Sequence, residues 1–144
     1  MRSLLDINVI IALLDSKHDF YDRAQSWWTR NHHLKWATCP IIQNGVLRVM
    51  MNPAYNPPNR FSLEIVADLV RDMLILADHE FWSDDISLLD PARFDLGQVV
   101  GPKQLTDMYL LALAIKNGGC FVSFDSRVIL QTVQFAKPEN LLIL

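Results

Sequence analysis

The chain has 144 residues, 51% of them apolar and 20% charged, with a formal net charge of −3. That length and balance specify one globular domain over residues 1–144, able to bury a core without disulfides or a structural metal, and exclude a disordered chain. The acidic excess excludes a general nucleic-acid coat protein, although a few acids gathered in one cleft and filled with divalent cations would still attract phosphate.

The opening stretch carries a carboxylate, Asp6, and an amide, Asn8, inside an apolar run of branched residues. It reads as a buried parallel strand over 3–5 followed by a helix starting near Asn8. Asp6 then stands at the carboxyl end of the strand, where open α/β sheets bind their ligands. Capping of that helix by Asp6 or Asn8 is the alternative reading. A second helix, capped by Asp15 or Ser16, runs to about Arg30, with Phe20, Ala24, Trp27 and Trp28 on its inner face. His18 lies just inside it as a structural residue. Asn31, His32 and His33 make a turn with nothing nearby to complete a metal site.

A second strand is expected over 34–38, and Pro40 opens a helix over 40–50 that buries Ile42, Val46, Val49 and Met50, with Gln43 in its first turn. Prolines and asparagines make 51–60 a loop, a rim or lid. Ser62 caps a helix over 63–76 whose apolar side is Ile65, Val66, Leu69, Val70, Met73 and Leu74. A short strand over 79–82 leads to Asp84 and Asp85, read as a helix cap or solvated turn, and 90–104 is irregular or weakly helical. The helix over 106–117 is almost wholly apolar beyond its first turn and stops at Gly118 and Gly119, so it must be buried on most sides. Strands over 120–124 and 140–144 close the chain. Strands alternating with helices imply an α/β fold, a mostly parallel sheet covered on both faces. No apolar run approaches the roughly 20 residues of a membrane span, and no basic-then-apolar leader opens the chain, so a cytoplasmic protein is expected. Cys39 and Cys120, far apart and outside any CxxC or Cys/His cluster, are expected as reduced, buried thiols.

Three acids stand in comparable places: Asp6 after the first strand, Asp107 in the first turn of the apolar helix, and Asp125 after the fourth strand. Each has an ordinary explanation alone, as a cap, a helix-dipole partner or a turn residue. Converging on one crevice, they would raise one another's pKa unless a cation were present. Oxygen ligands of this kind suit Mg²⁺ or Mn²⁺.

The blocks Leu4-Leu5-Asp6-Ile7-Asn8-Val9, Leu105-Thr106-Asp107-Met108-Tyr109-Leu110 and Phe121-Val122-Ser123-Phe124-Asp125, with Cys39-Pro40-Ile41-Ile42-Gln43-Asn44-Gly45 between them, resemble the motif blocks of PIN-domain ribonucleases. The likeness covers essentially the whole chain and is to the VapC toxins of bacterial toxin–antitoxin modules. It implies an α/β/α sandwich with a parallel five-stranded sheet, an acidic site at the strand ends, and Mg²⁺- or Mn²⁺-dependent endonucleolytic cleavage of RNA. It also implies a VapB-type antitoxin as partner, whose tail blocks the cleft, and a homodimeric toxin. Trp27, Trp28, Tyr55, Phe81 and Trp82 are compatible with such interfaces and equally with core packing.

The resemblance implies metal ligation by Asp6, Asp107 and Asp125, and it usually has glutamate where this chain has Gln43. An amide there removes one negative charge, so weaker metal binding and reduced or absent cleavage are expected. Asn8 orients a ligand or contacts phosphate unless it only caps the helix. Thr106 and Ser123 bond the carboxylates or waters, and Arg48, Lys103 and Arg127 are candidates for the RNA backbone. The mechanism implied is attack by metal-activated water. Two enzyme alternatives fit less well: an aspartyl-nucleophile phosphohydrolase would need an aspartate at Asn8, and a dinucleotide-binding module would need a Gly-rich turn after the first strand. A catalytically silent PIN fold that binds RNA or a protein is the other reading that Gln43 leaves open.

Overall fold

Ser3–Leu5 forms β1, in which Leu4 and Leu5 have no exposure at all. A strand buried on both faces needs a neighbour on each edge and helices above and below. It has them in the computed structural model, which describes residues 1–31, 33, 35–56 and 60–144. β1 pairs in parallel with β2 (Lys35–Thr38) on one side and β4 (Cys120–Ser123) on the other. Beyond them lie β3 (Asp78–Phe81) and β5 (Leu141–Ile143), giving a five-stranded, all-parallel sheet in the order β3-β2-β1-β4-β5.

From β1 the chain steps outward to β2 and β3 through α1 (Ile7–Leu14), α2 (Tyr21–Arg30), α3 (Pro40–Met51) and α4 (Leu63–Leu74), which pack on one another. It then returns through α5 (Leu105–Lys116) to β4, and α5 packs on β1 and β4. Right-handed crossovers running in opposite directions put the two helical groups on opposite faces, hence an α/β/α sandwich. The reversal of strand order falls between β1 and β4. In α5 every residue from Met108 to Ala114 is buried, as its near-uniform apolarity requires. Gly118 then takes a left-handed turn, φ 66°, and Gly119 N–H reaches back to Ala114 O at 2.7 Å.

Arg2 stitches the amino ends of the strands. Its guanidinium donates to Trp36 O (3.1 Å) and Asp78 O (2.6 Å) and forms ion pairs with Asp78 and Glu80. Cys39 is buried, and burial pushes its thiol up to about 12; Cys120 is half-buried.

Several expectations change. Asp15 and Ser16 cap no second helix: α2 begins at Tyr21, after a turn in which His18 Nδ1 accepts the Phe20 N–H at 3.0 Å. Phe20 is therefore exposed, while Ala24 and Trp27 are buried and Trp28 is half-buried against the edge of Trp36. Asp15 instead ends α1, 3% exposed, with Arg60 bidentate on it (2.9 and 2.8 Å), the Tyr55 hydroxyl bonded to it and the Lys17 N–H at 3.0 Å. Burial alone would raise its carboxyl, but these donors outweigh burial and hold it below the ordinary carboxylate range. The expected rim loop is thus fastened to α1 at Tyr55 and Arg60. α4 ends at Leu74 rather than 76, because its last turn has nothing to cover it, and Ile65 is exposed rather than packed. The expected turn at His32, the strand start at Leu34 and Pro57, Pro58 and Asn59 of the loop lie outside the described residues.

Two substitutions test this packing in urea denaturation. A Cβ at Gly119 would lie 2.6 Å from Arg2 O, a backbone atom that cannot give way, so Gly119→Ala is expected to cost about 1–3 kcal/mol. Arg60→Ala leaves Asp15 short of its strongest donors and is expected to lower the urea midpoint, with most of the loss already present at neutral pH.

Candidate functional site

The carboxyl ends of β1 and β4 meet where the strand order reverses, the usual crevice of an open α/β sheet. Asp6 N–H extends the ladder by one bond, to Val122 O at 2.9 Å. Its carboxylate then serves two elements: Oδ1 accepts the Ile7 N–H at 2.7 Å as the cap of α1, and Oδ2 accepts the Ser123 hydroxyl at 2.6 Å. Capping and a strand-end acid are therefore not alternatives for Asp6. Ser123 is fully buried, and the same Oγ accepts the Asp125 N–H at 3.0 Å, so one hydroxyl ties both strand-end acids together. Burial pushes the Asp6 carboxyl up; the bonds from Ser123 and Ile7 oppose this, and the charge of Asp125 adds to it.

Asp107 enters from the first turn of α5. Its carboxyl is pushed up to about 6, first by burial and then by the charges of Asp6 and Asp125, with Arg127 opposing. Asp125 goes the other way because Arg127 folds back on it: Arg127 Nε donates to Oδ1 at 2.9 Å, Nη2 to Oδ2 at 2.7 Å, and the Arg127 N–H to Oδ1 at 2.8 Å. Lys103, Gln104, Asp107, Asp125 and Arg127 line a cleft of about 320 Å³. The three aspartates interact through charge; among the described residues no group of three or more His, Cys, Asp or Glu side chains forms a ready-made metal cage.

A second cleft of about 320 Å³ lies alongside, lined by Ile7, Asn44, Gly45, Arg48, Asp84 and Thr106 among others. Ile7 follows Asp6 and Thr106 precedes Asp107 in the chain, so this second cleft adjoins the acids, while Asp107 and Asp125 line the first. At Gly45 a Cβ would fall 2.2 Å from Ile7 Cδ1, so glycine lets α3 approach α1 here. Asp84 caps α3 from a distance, its Oδ2 accepting the Ile41 N–H at 3.0 Å, while its Oδ1 is buried with no partner among the described residues.

Asp6, Asp107, Asp125 and Ser123 thus share one crevice. Gln43 donates from Nε2 to Thr38 Oγ1 (2.9 Å) at the end of β2, the strand beside β1, and that oxygen lies 2.9 Å from His79 Nε2. Asn8 is exposed on α1, and Thr106 is exposed on the second cleft rather than bonded to an acid. Arg48 and Lys103 are exposed, one on each cleft. Sequence reading missed the Asp125–Arg127 pair, for which the spacing of two residues was the available signal, and the long-range cap by Asp84, for which there was none.

Asp107 carries a testable sign. Its folded pKa of about 6 lies above the ordinary 3.8, so the folded state binds a proton more tightly than the unfolded one, and stability falls as pH rises through the window between them. Asp107→Asn removes that slope. In urea without divalent cations it is expected to be about 1–2 kcal/mol more stable at pH 7, after allowing for a lost helix-dipole interaction, and nearly equal at pH 4.

The profile of the PIN domain family matches residues 3–135. The chain is 43% identical over 141 residues to Ribonuclease VapC44 of Mycobacterium tuberculosis, a match covering 98% of each, and 38% identical over 144 residues to Ribonuclease VapC38 of the same organism, covering 97% of each. Among solved structures, Mycobacterium tuberculosis VapC20, described as a sarcin-ricin loop cleaving toxin, superposes with a TM-score of 0.60 at 11% identity, covering 91% of this chain and 98% of that one. VapBC2 of Rickettsia felis, bound to a DNA fragment from its promoter, gives 0.55 at 14% identity, covering 100% and 98%. At such identities these two speak for the fold, whereas the sequence relatives speak for descent. By the family profile and these sequence relatives, the chain belongs to the PIN-domain family, among the VapC ribonucleases.

Proposed function

We propose that this chain is a divalent-metal-dependent endoribonuclease, the toxin of a VapBC-type toxin–antitoxin pair. One observation carries the reading. Asp6, Asp107 and Asp125 stand in one crevice at the strand ends, and the charges of the other two help push Asp107 up to about 6, a repulsion that a bound cation relieves. The donors are all carboxylate oxygens, which fit a hard ion such as Mg²⁺ or Mn²⁺ in kind. Such an ion, when bound, supplies an activated water and stabilises the leaving oxygen of a phosphodiester.

The chain's own residues do the rest. Ser123 holds Asp6 and, through the Asp125 N–H, fixes the approach of the second acid. Asp107 sheds its proton near neutral pH to complete the ligand set. Lys103, on the cleft that holds Asp107 and Asp125, and Arg48, on the adjoining one, attract the RNA backbone, and Asn8 and Thr106 are exposed to meet it. The PIN domain extends over residues 1–144, because β5 completes the sheet beyond the last residue that the family profile matches.

Gln43 tempers this activity. Burial and Arg2 hold His79 below its ordinary pKa, and its Nε2 shares a hydrogen bond with the Thr38 hydroxyl, whose oxygen accepts the Gln43 amide. A glutamate at this position would add negative charge and would take the Thr38 hydroxyl proton for itself. The same reading takes in a VapB-type antitoxin as partner and a homodimeric toxin, as the family resemblance implies, and no helix among the described residues is long and apolar enough to cross a membrane. A cytoplasmic location is part of the same proposal.

Mn²⁺-dependent cleavage of a mixed tRNA and ribosomal RNA pool tests the reading on three proteins. The chain itself is expected to cut slowly, Gln43→Glu about tenfold or more faster, and Asp6→Asn not measurably, with its melting temperature kept because the amide oxygen can still accept the Ile7 N–H while the NH2 donates to Ser123 Oγ. Mn²⁺ binding without cleavage by any of the three would favour instead a PIN fold that only binds RNA or protein.

A further inference from the structure

We infer that Arg127 is a built-in counter-ion of the acidic crevice, which a divalent cation must displace from Asp125 and which then takes a phosphate of the RNA. The inference rests on the metal-dependent reading above and deepens it.

Among the described residues two arginines each engage both oxygens of an aspartate, and the two pairs are of opposite character. Asp15 is 3% exposed, is also bonded by Tyr55 and the Lys17 N–H, and has Arg60 26% exposed beside it and stacked over Phe61 at 4.5 Å. Every acceptor is used and the pair is held from all sides, so it is a fastening. The Arg127 side chain, by contrast, is 77% exposed, and the only ring or carboxylate described as meeting its guanidinium is Asp125. The pair closes across two residues of one turn, so opening it moves one side chain and disturbs no core.

Its position gives opening a purpose. Arg127 engages both oxygens of Asp125, with a third bond from its own N–H on Oδ1. A carboxylate offers about four lone-pair directions, and three are taken. The cleft that holds this pair also holds Asp107, which has no comparable cation on it and whose carboxyl is raised, and Lys103 on the rim. The crevice thus carries three acids and one folded-back cation. A divalent ion entering it meets that cation as a competitor for Asp125, and exposed ion pairs are weak enough to yield. Once released, the guanidinium remains tethered two residues from a ligand, beside Lys103, where a phosphate bound at the acids would meet it.

The experiment compares the full chain with Arg127→Ala and Arg127→Lys. Mn²⁺ affinity is read from the electron paramagnetic resonance of the free ion at pH 7. In the unaltered chain, the Arg127 Nε–H signal is followed by NMR as Mg²⁺ is added. Arg127→Ala is expected to bind Mn²⁺ about three- to tenfold more tightly while its KM for RNA rises, two changes in opposite directions that a merely structural residue would not produce. Arg127→Lys is expected to fall between the two, and the Nε–H signal to leave its ion-paired position along the Mg²⁺ binding curve. Equal or weaker Mn²⁺ binding in Arg127→Ala, or an Nε–H signal unmoved at saturating Mg²⁺, overturns the inference and leaves the nuclease reading standing. An unchanged KM overturns the phosphate contact. No Mn²⁺ bound by any of the three proteins overturns the metal-dependent reading and this inference with it.

Discussion

The hydroxyl of Ser123 lies between the two strand-end acids, donating to Asp6 Oδ2 and accepting from the Asp125 N–H. It can do so only because β1 and β4 are adjacent, parallel and in a register that pairs Leu5 with Val122. An antiparallel pairing would send one of the acids to the far end of the sheet. A shift by one residue would turn Ser123 to the other face. The site is therefore a consequence of strand order, and strand order depends on the buried α5, whose seven consecutive buried residues leave it no place except against β1 and β4.

Gathering like charges at that junction works against the fold. Asp6 is desolvated and Asp107 is pushed up to about 6, both signs that the folded chain holds charge where an unfolded chain would not. Three local features offset this: the amide of Ile7 at the start of α1, the hydroxyl of Ser123, and Arg127 folded over Asp125. Of the acids, Asp107 has the least help, with only the nearby charge of Arg127 and the first turn of α5 to favour its ionised form. The crevice costs the fold stability, as functional sites commonly do, and it is there that the proposed chemistry would take place.

The remainder of the domain holds the crevice still. Arg2 ties the amino ends of β1, β2 and β3, so the strands cannot slide and move their carboxyl ends. The Asp15–Arg60–Tyr55 cluster fixes the end of α1 whose beginning Asp6 caps. Gly45 lets α3 come close to α1. At the end of β2, Gln43, Thr38 and His79 form a hydrogen-bonded chain. Position 43 is thereby coupled to the sheet, so its side chain cannot be altered without changing the partners of Thr38.

Much of this was legible in the chain. The apolar run of α5, the buried strands β1 and β4 and the Pro40 start of α3 follow from local periodicity and steric preference, which act over a few residues and so can be read from a few residues. The placing of Asp6 and Asp125 at strand ends follows from the same patterns, and the family's motif blocks pointed to the rest. What local pattern misjudged was the start of α2, where Asp15 looks like a cap but is claimed by Arg60, 45 residues away. Nor did pattern show that Gln43 bonds to Thr38 or that Thr106 lies exposed on the second cleft. Whether a side chain caps a helix, joins a crevice or pairs across the fold depends on which distant group offers the better bond once the chain is compact. Sequence periodicity determined the elements and their order along the chain; only the tertiary structure decided the company each polar side chain keeps, because those bonds form between groups that the sequence holds far apart.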